Sequence, residues 1–180
     1  MAGAPTEHLV FVDVETTGLD SSRHEIVELA WARDDGPVEV VYPRHTLRFA
    51  EPIALQVNRY HERGLGTVVH GPDDVSGFLL QARGNTLVAA NPTFDATFLK
   101  AHFGWAPWHY RLLDIESYAA GVLGWDRPPS LKDIREQLTG IGYDIPAPDH
   151  TAAGDVTALR ACWRALRAER PYRGSVVIAA

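Results

Sequence analysis

Apolar positions along this chain follow two different periods. LVFVDV from Leu9 and IVELAWA from Ile26 are nearly unbroken apolar runs bounded by turn residues, the signature of buried strands. The pattern predicts strands over His8–Val14, over HEIVELAWAR (24–33) and over PVEVVYPRHTLRF (37–49), with turns at Asp20-Ser21-Ser22 and Asp34-Asp35-Gly36-Pro37. Connections this short join antiparallel neighbours, so the three strands make a meander. Beyond Pro52 the pattern changes. It predicts a helix over Pro72–Ala82, a strand at TLVAA (86–90), a helix over Pro92–Phe103 and a short strand over Arg111–Leu113. A meander followed by alternating helices and strands is an α/β layout with a mixed, five-stranded sheet flanked by helices.

Helix ends are marked by capping residues. Asn91 is placed to cap the helix that opens with Pro92, whose missing amide proton costs little in a first turn. SLKDIREQL begins with Ser130 and has Asp133 three places on, a variant of the capping box, and its Leu131, Ile134 and Leu138 form one apolar stripe. In the last helix, about Ala152–Ala168, Val156, Leu159, Trp163 and Leu166 recur at helical spacing and face the core, with Cys162 a small core residue. Arg160, Arg164 and Arg167 line one face of that helix, read as a solvated face in preference to a phosphate track. Between these two helices, GIGYDIPAPDH (140–150) holds two prolines and two glycines, which predicts an irregular, mobile loop.

The 180 residues, 46% of them apolar, fit a single domain, with a core over about 8–168 and a short tail over 169–180. No apolar stretch approaches the roughly 18 residues needed to cross a bilayer, and Met1–Glu7 lacks the features of a signal peptide, so the expectation is a soluble, cytoplasmic protein. One cysteine excludes an internal disulfide and a thiolate metal cluster. The net charge of -6 argues against a broad basic surface that binds duplex nucleic acid by charge alone. It leaves open a nucleic-acid enzyme whose acids gather cations.

Four acids stand at or near element boundaries. On a strand, residues i and i+2 share a face, so Asp13 and Glu15 project side by side and repel each other unless something positive sits between them. Asp95 and Asp155, each near the start of a helix, have a simpler account in the helix dipole, worth about 0.3–1 kcal/mol. Taken together, FVDVETTGL, LVAANPTFDATFL and DHTAAGDVTAL resemble, in order and spacing, the three exonuclease motifs of the DEDD superfamily of 3'-5' exonucleases. His150, five places before Asp155, resembles the histidine branch, DEDDh or DnaQ-like; position 151, where the other branch has tyrosine, is Thr151.

The resemblance runs from the first strand to the last helix and implies a ribonuclease-H-like fold. It implies removal of nucleoside 5'-monophosphates from single-stranded or frayed 3' ends, with Asp13, Glu15, Asp95 and Asp155 holding two Mg²⁺ or Mn²⁺ ions, for which hard carboxylate oxygens are suited. His150 would be the general base, since imidazoles titrate near neutral pH. The Thr16, Thr17, Gly18 and Leu19 turn would contact the terminal nucleotide, with Leu19 as a wedge, and Val57, Asn58 and Asn91 would add substrate contacts. Relatives commonly have His-Asn where this chain has Ala90-Asn91, which bears on substrate preference. Asp114 fits the family pattern and fits a helix cap equally well. DNA is the favoured substrate; an RNA-trimming or oligoribonucleotide-degrading enzyme is the alternative, and a non-catalytic nucleic-acid-binding module, with a DNA polymerase as candidate partner, is the alternative of another class.

Overall fold

The structure, a computed structural model, describes residues 8–67 and 75–169. Five strands form one sheet: β1 (Leu9–Thr16), β2 (Ile26–Arg33), β3 (Glu39–Val41), β4 (Thr86–Ala89) and β5 (Leu113–Asp114), in spatial order β3-β2-β1-β4-β5. β1, β2 and β3 are the antiparallel meander, and β4 and β5 run parallel to β1. The helices are α1 (Pro52–Val57), α2 (Ser76–Ala82), α3 (Pro92–Phe103), α4 (Ile115–Leu123), α5 (Leu131–Gly140) and α6 (Ala152–Glu169). None of them is long and apolar enough to cross a membrane.

Helices cover both faces of the sheet, which is why β1 and β2 read as continuous apolar runs. Val10, Val12 and Val14 pack with Leu29, Trp31 and Leu87 against Phe78 of α2 and Phe98 and Leu99 of α3. Phe11 points the other way, into a layer with Ala30, Ala32 and Val88 and with Ile115, Ile134, Leu138, Val156 and Leu159 of α4, α5 and α6. Phe11 meets Trp163 edge to face at 6.2 Å; truncating a buried ring of this kind costs about 3–5 kcal/mol. Because side chains alternate, Asp13 and Glu15 lie on Phe11's side of the strand, the side of α6.

Several boundaries differ from the sequence expectation. β3 ends at Val41, well short of Phe49, because Pro43 lacks the amide that a continuing strand would need. β1 continues to Thr16 and so takes both acids inside the strand. β5 occupies Leu113–Asp114, later than expected, and α2 begins at Ser76, the expected start at Pro72 lying outside the described residues. α1 forms over a segment to which the sequence pattern assigns no element. The Ser130–Asp133 capping box is present, and Asp114 caps α4 by accepting from the Glu116 amide. Asn91 makes no side-chain cap, since its backbone is left-handed (φ 55) and not extended as a capping oxygen requires.

The arginine face of α6 is largely solvated as expected, Arg164 and Arg167 being exposed, and it is also tethered. Arg160 donates to the carbonyls of Arg33 and Gly36, Arg164 binds Asp34, and the Arg167 guanidinium lies over the Trp163 ring. Arg160 and Arg164 tie the β2–β3 turn to the helix. Cys162 is buried, and burial pushes its thiol up to about 12. The 140–150 loop is irregular as expected and is held at both ends: Ile145 is buried with its carbonyl on Arg135, and Tyr143 donates to Glu169. The 170–180 segment lies outside the described residues.

Candidate active site

The parallel ladder between β1 and β4 stops at Phe11 and Val88, so the β1 backbone beyond it needs other partners. Asp95, in the first turn of α3, supplies one: its Oδ1 accepts the Val14 amide at 3.0 Å. That contact carries the Asp95 carboxylate from a helix on one layer to the end of β1. From the other layer comes Asp155 in the first turn of α6, whose Oδ1 accepts the amides of Asp149 at 2.9 Å and His150 at 3.2 Å. In both residues Oδ1 is committed to backbone, leaving Oδ2 for another partner. Carboxylate oxygens of Asp13, Glu15 and Asp155 all lie within 4.8 Å of one another.

Such a cluster is costly without a cation. Burial first, and then the charges of Asp95, Asp155, Glu15 and Glu28, hold Asp13 well above the usual carboxylate range. Burial and then Asp155 and Glu28 push Glu15 up to about 8, with Arg63 pulling the other way. Burial raises Asp95 to about 7 against the opposing Val14 amide, and burial raises Asp155 against its two amides. Among the charges that raise Asp13, that of Asp95 is the largest, followed by Asp155 and Glu15. A group of hard oxygens that resist ionising together fits divalent cations of the Mg²⁺ and Mn²⁺ type.

The turn after β1 differs from the expectation that its four residues contact substrate. Thr16 and Thr17 are buried; the Thr16 hydroxyl donates to the Gly18 carbonyl, and that of Thr17 accepts the Glu25 amide. Their hydroxyls hold the turn's shape. At Gly18 a Cβ would lie 2.6 Å from the buried His24 ring, so the close approach needs glycine. His24 in turn accepts the Asp20 amide at Nδ1 and faces Glu51 at 3.5 Å through Nε2. The residue this scaffold presents is Leu19, 77% exposed. Asn58 is likewise turned inward, 1% exposed and donating to the Thr16 carbonyl, a brace in place of the expected substrate contact.

Beside Glu15 lies an apolar cleft of about 310 Å³ lined by Leu19, Ile53, Val57 and Phe94 together with Glu51. Val57 lines this cleft and is half exposed. Asn91 lies across Leu19, in a second hollow with Ser21, Thr93 and Thr97. Ala90 packs partly buried against the α4–α6 layer. His150 is exposed on a left-handed backbone (φ 58), next to the acids through its amide bond to Asp155.

Sequence reasoning missed Glu28 and Arg63. Glu28 is the cross-strand partner of Glu15 and is 1% exposed; its Oε2 accepts from Arg63 Nη2 at 2.8 Å and from the Ala152 amide at the start of α6 at 3.2 Å. Arg63 also donates to the Asn58 carbonyl. One buried ion pair thus joins the turn after α1, β2 and the helix that carries Asp155. The available signal was a lone Glu inside IVELAWA, but its partner lies 35 residues away.

No protein-family model matches the chain, and no curated protein does either. Solved structures do. Escherichia coli ExoI in complex with single-stranded DNA, in a zinc-bound form, superposes with a TM-score of 0.67 at 16% identity over 92% of this chain. This chain has the ribonuclease-H-like fold of exonucleases. A 3'-exonuclease that recognises the 3' end of the histone mRNA stem-loop superposes with a TM-score of 0.67 at 13% identity, covering 93% of this chain and 65% of its own. Brucella melitensis NrnC does so at 0.56 and 20% identity, over 91% of this chain and 74% of its own. The chain spans only 41% of the length of ExoI.

Proposed function

We propose that this protein is a divalent-metal-dependent 3'-5' exonuclease of the DEDDh type, a single domain that removes nucleoside 5'-monophosphates from single-stranded or frayed 3' ends. The observation that carries the proposal is the convergence of Asp13, Glu15 and Asp155 within 4.8 Å, with the Asp95 charge acting on the buried Asp13, on a fold shared with exonucleases. Two cations, Mg²⁺ or Mn²⁺, would supply an activated water and charge stabilisation at the leaving 3' oxygen. Asp13, Glu15, Asp95 and Asp155 would hold these cations, Asp13 serving both, Glu15 and Asp155 one and Asp95 the other. The amides on the Oδ1 atoms of Asp95 and Asp155 keep the remaining oxygens aimed. His150 accepts the proton of the attacking water at an imidazole nitrogen, turning inward about its exposed loop. Leu19 and the apolar cleft beside Glu15 take the terminal base by stacking and van der Waals contact, which requires an unpaired end.

DNA is the favoured substrate in this reading, supported by the single-stranded DNA in the ExoI complex. The histone mRNA 3'-exonuclease among the similar folds favours RNA as the second reading. A time course with 5'-labelled DNA and RNA oligomers of one sequence, each with Mg²⁺, Mn²⁺ or chelator, tests both. The expected result is a metal-dependent ladder shortening from the 3' end, faster on DNA. No ladder from folded, cation-binding protein would refute the exonuclease. A DNA polymerase is the macromolecular partner this reading names, and an unchanged sedimentation profile on mixing with the polymerase of the same cell would dismiss it.

A further inference from the structure

The segment between β3 and α1 has no regular structure, yet it is firmly held. The Thr46 amide and hydroxyl both donate to Glu25 at 2.8 Å, His45 bridges the Pro43 carbonyl and the Tyr60 hydroxyl, and the Glu51 amide donates to the Thr17 carbonyl at 2.7 Å. What this pinned segment presents outward is Phe49, 47% exposed, with the Arg48 guanidinium 5.0 Å and the Arg23 guanidinium 5.6 Å from its ring centre. Both arginines are exposed, and neither makes an ion pair or side-chain hydrogen bond among the described residues. In a chain of net charge -6, two guanidiniums gathered on one open aromatic ring are a local exception, although the Arg23 charge also reaches the Asp20 carboxylate.

Chain neighbours tie these residues to the cleft. Phe49 is two residues from Glu51, which lines the cleft beside Glu15, and Arg23 adjoins His24, whose ring packs on Gly18 next to Leu19. We infer that Arg23, Phe49 and Arg48 form a subsite for nucleotides upstream of the scissile end, the ring stacking a base and the guanidiniums meeting phosphates. The inference rests on the exonuclease reading for the direction of the strand. A stacking platform flanked by cations binds a single strand with little base preference, because every base has a face and every linkage a charge. The consequence is an enzyme that holds oligomers more tightly than dinucleotides.

The test compares wild type with an R23S/R48S/F49A variant and with an R83S/R127S control, which removes the same charge from exposed positions elsewhere. KM and kcat are measured on a dinucleotide and on an octanucleotide over a salt series. Removing the subsite should raise KM for the octanucleotide about tenfold, the loss expected for one stacked base, with kcat and dinucleotide kinetics within twofold. It should also flatten the plot of log KM against log salt by about 1.4, or 0.7 for each lost phosphate contact. The control should match wild type. An octanucleotide KM unchanged in the variant, or raised equally in the control, overturns the inference and turns the patch toward a protein partner. Should wild type cleave neither substrate, the exonuclease reading fails separately. Anisotropy of a labelled octanucleotide with the same variants in a D13N background then still decides the subsite.

Discussion

Replacing Arg63 by methionine should damage this protein severely although the residue never touches the candidate cation site. Met keeps most of the stem's volume but leaves Glu28, 1% exposed, without its cation 2.8 Å away. At an effective dielectric of about 20 the lost attraction is about 6 kcal/mol. Breaking buried pairs from one side costs about 3–5 kcal/mol once relaxation is allowed. For a protein whose total stability is of order 5–15 kcal/mol, that is a large share. At about 2–4 °C per kcal/mol for a chain of this size it lowers Tm by about 6–20 °C. Glu28→Gln should cost less, because Arg63, 16% exposed, can reach water. The double variant should recover at least about 2 kcal/mol of coupling. Urea unfolding of the four proteins in chelator at pH 7 measures the cycle. A loss below about 1 kcal/mol for Arg63→Met, or an additive cycle, would refute the claim that this pair ties α6 to the sheet. Arg63 also pulls Glu15 down; without it Glu15 holds its proton more tightly, and the cation concentration for half-maximal activity at pH 7 should rise.

Asp13→Asn should lower kcat by about a thousandfold or more, through loss of the central carboxylate, while raising the Tm of the metal-free protein at pH 8 by removing a buried repulsion; normal turnover by this variant would end the cation assignment. In chelator, Glu15 and Asp95 keep their protons to about pH 8 and about 7, against 4.5 and 3.8 ordinarily. The folded state then binds more protons than the unfolded state, so stability should fall as pH rises through that window, and added Mn²⁺ at pH 8 should reverse the loss; a metal-free Tm higher at pH 8 than at pH 5 contradicts this. At Gly154 a Cβ would meet the Asp149 carboxylate, with its Cγ at 2.8 Å and Thr151 Oγ1 at 2.9 Å. Gly154→Ala should cost about 1–3 kcal/mol and lower kcat more than it changes KM, by shifting the loop that carries His150; unchanged kcat would separate that loop's shape from turnover.

Element types were legible wherever burial repeats locally. β1, β2, β4, α3, α5 and α6 each carry an unbroken apolar run or a 3.6-residue stripe long enough to be read without a neighbour. β3 was overextended because VVYPRHTLRF keeps a strand-like composition past Pro43. The α1 helix was missed because its six residues carry no buried face. Asn91 has the right identity for a cap and the wrong backbone, and a dihedral angle is not written in residue type.

The acids and His150 could be listed because FVDVETTGL, LVAANPTFDATFL and DHTAAGDVTAL resemble the exonuclease motifs in order and spacing; taken singly, each has an ordinary account as a strand, helix-end or loop residue. Which way neighbouring side chains turn was another matter. Thr16, Thr17 and Asn58 face inward because Glu25, Gly18 and the β1 end need partners there, and Glu28 is tolerable in the core only because Arg63 and the α6 amide meet it. Periodicity is a property of near neighbours, so the chain alone carries the strand and helix pattern and the set of carboxylates. The closeness of those carboxylates, the ion pair behind them and the arginine-flanked ring beside them arise from contacts between segments tens of residues apart, and these exist only once the sheet has brought the segments together.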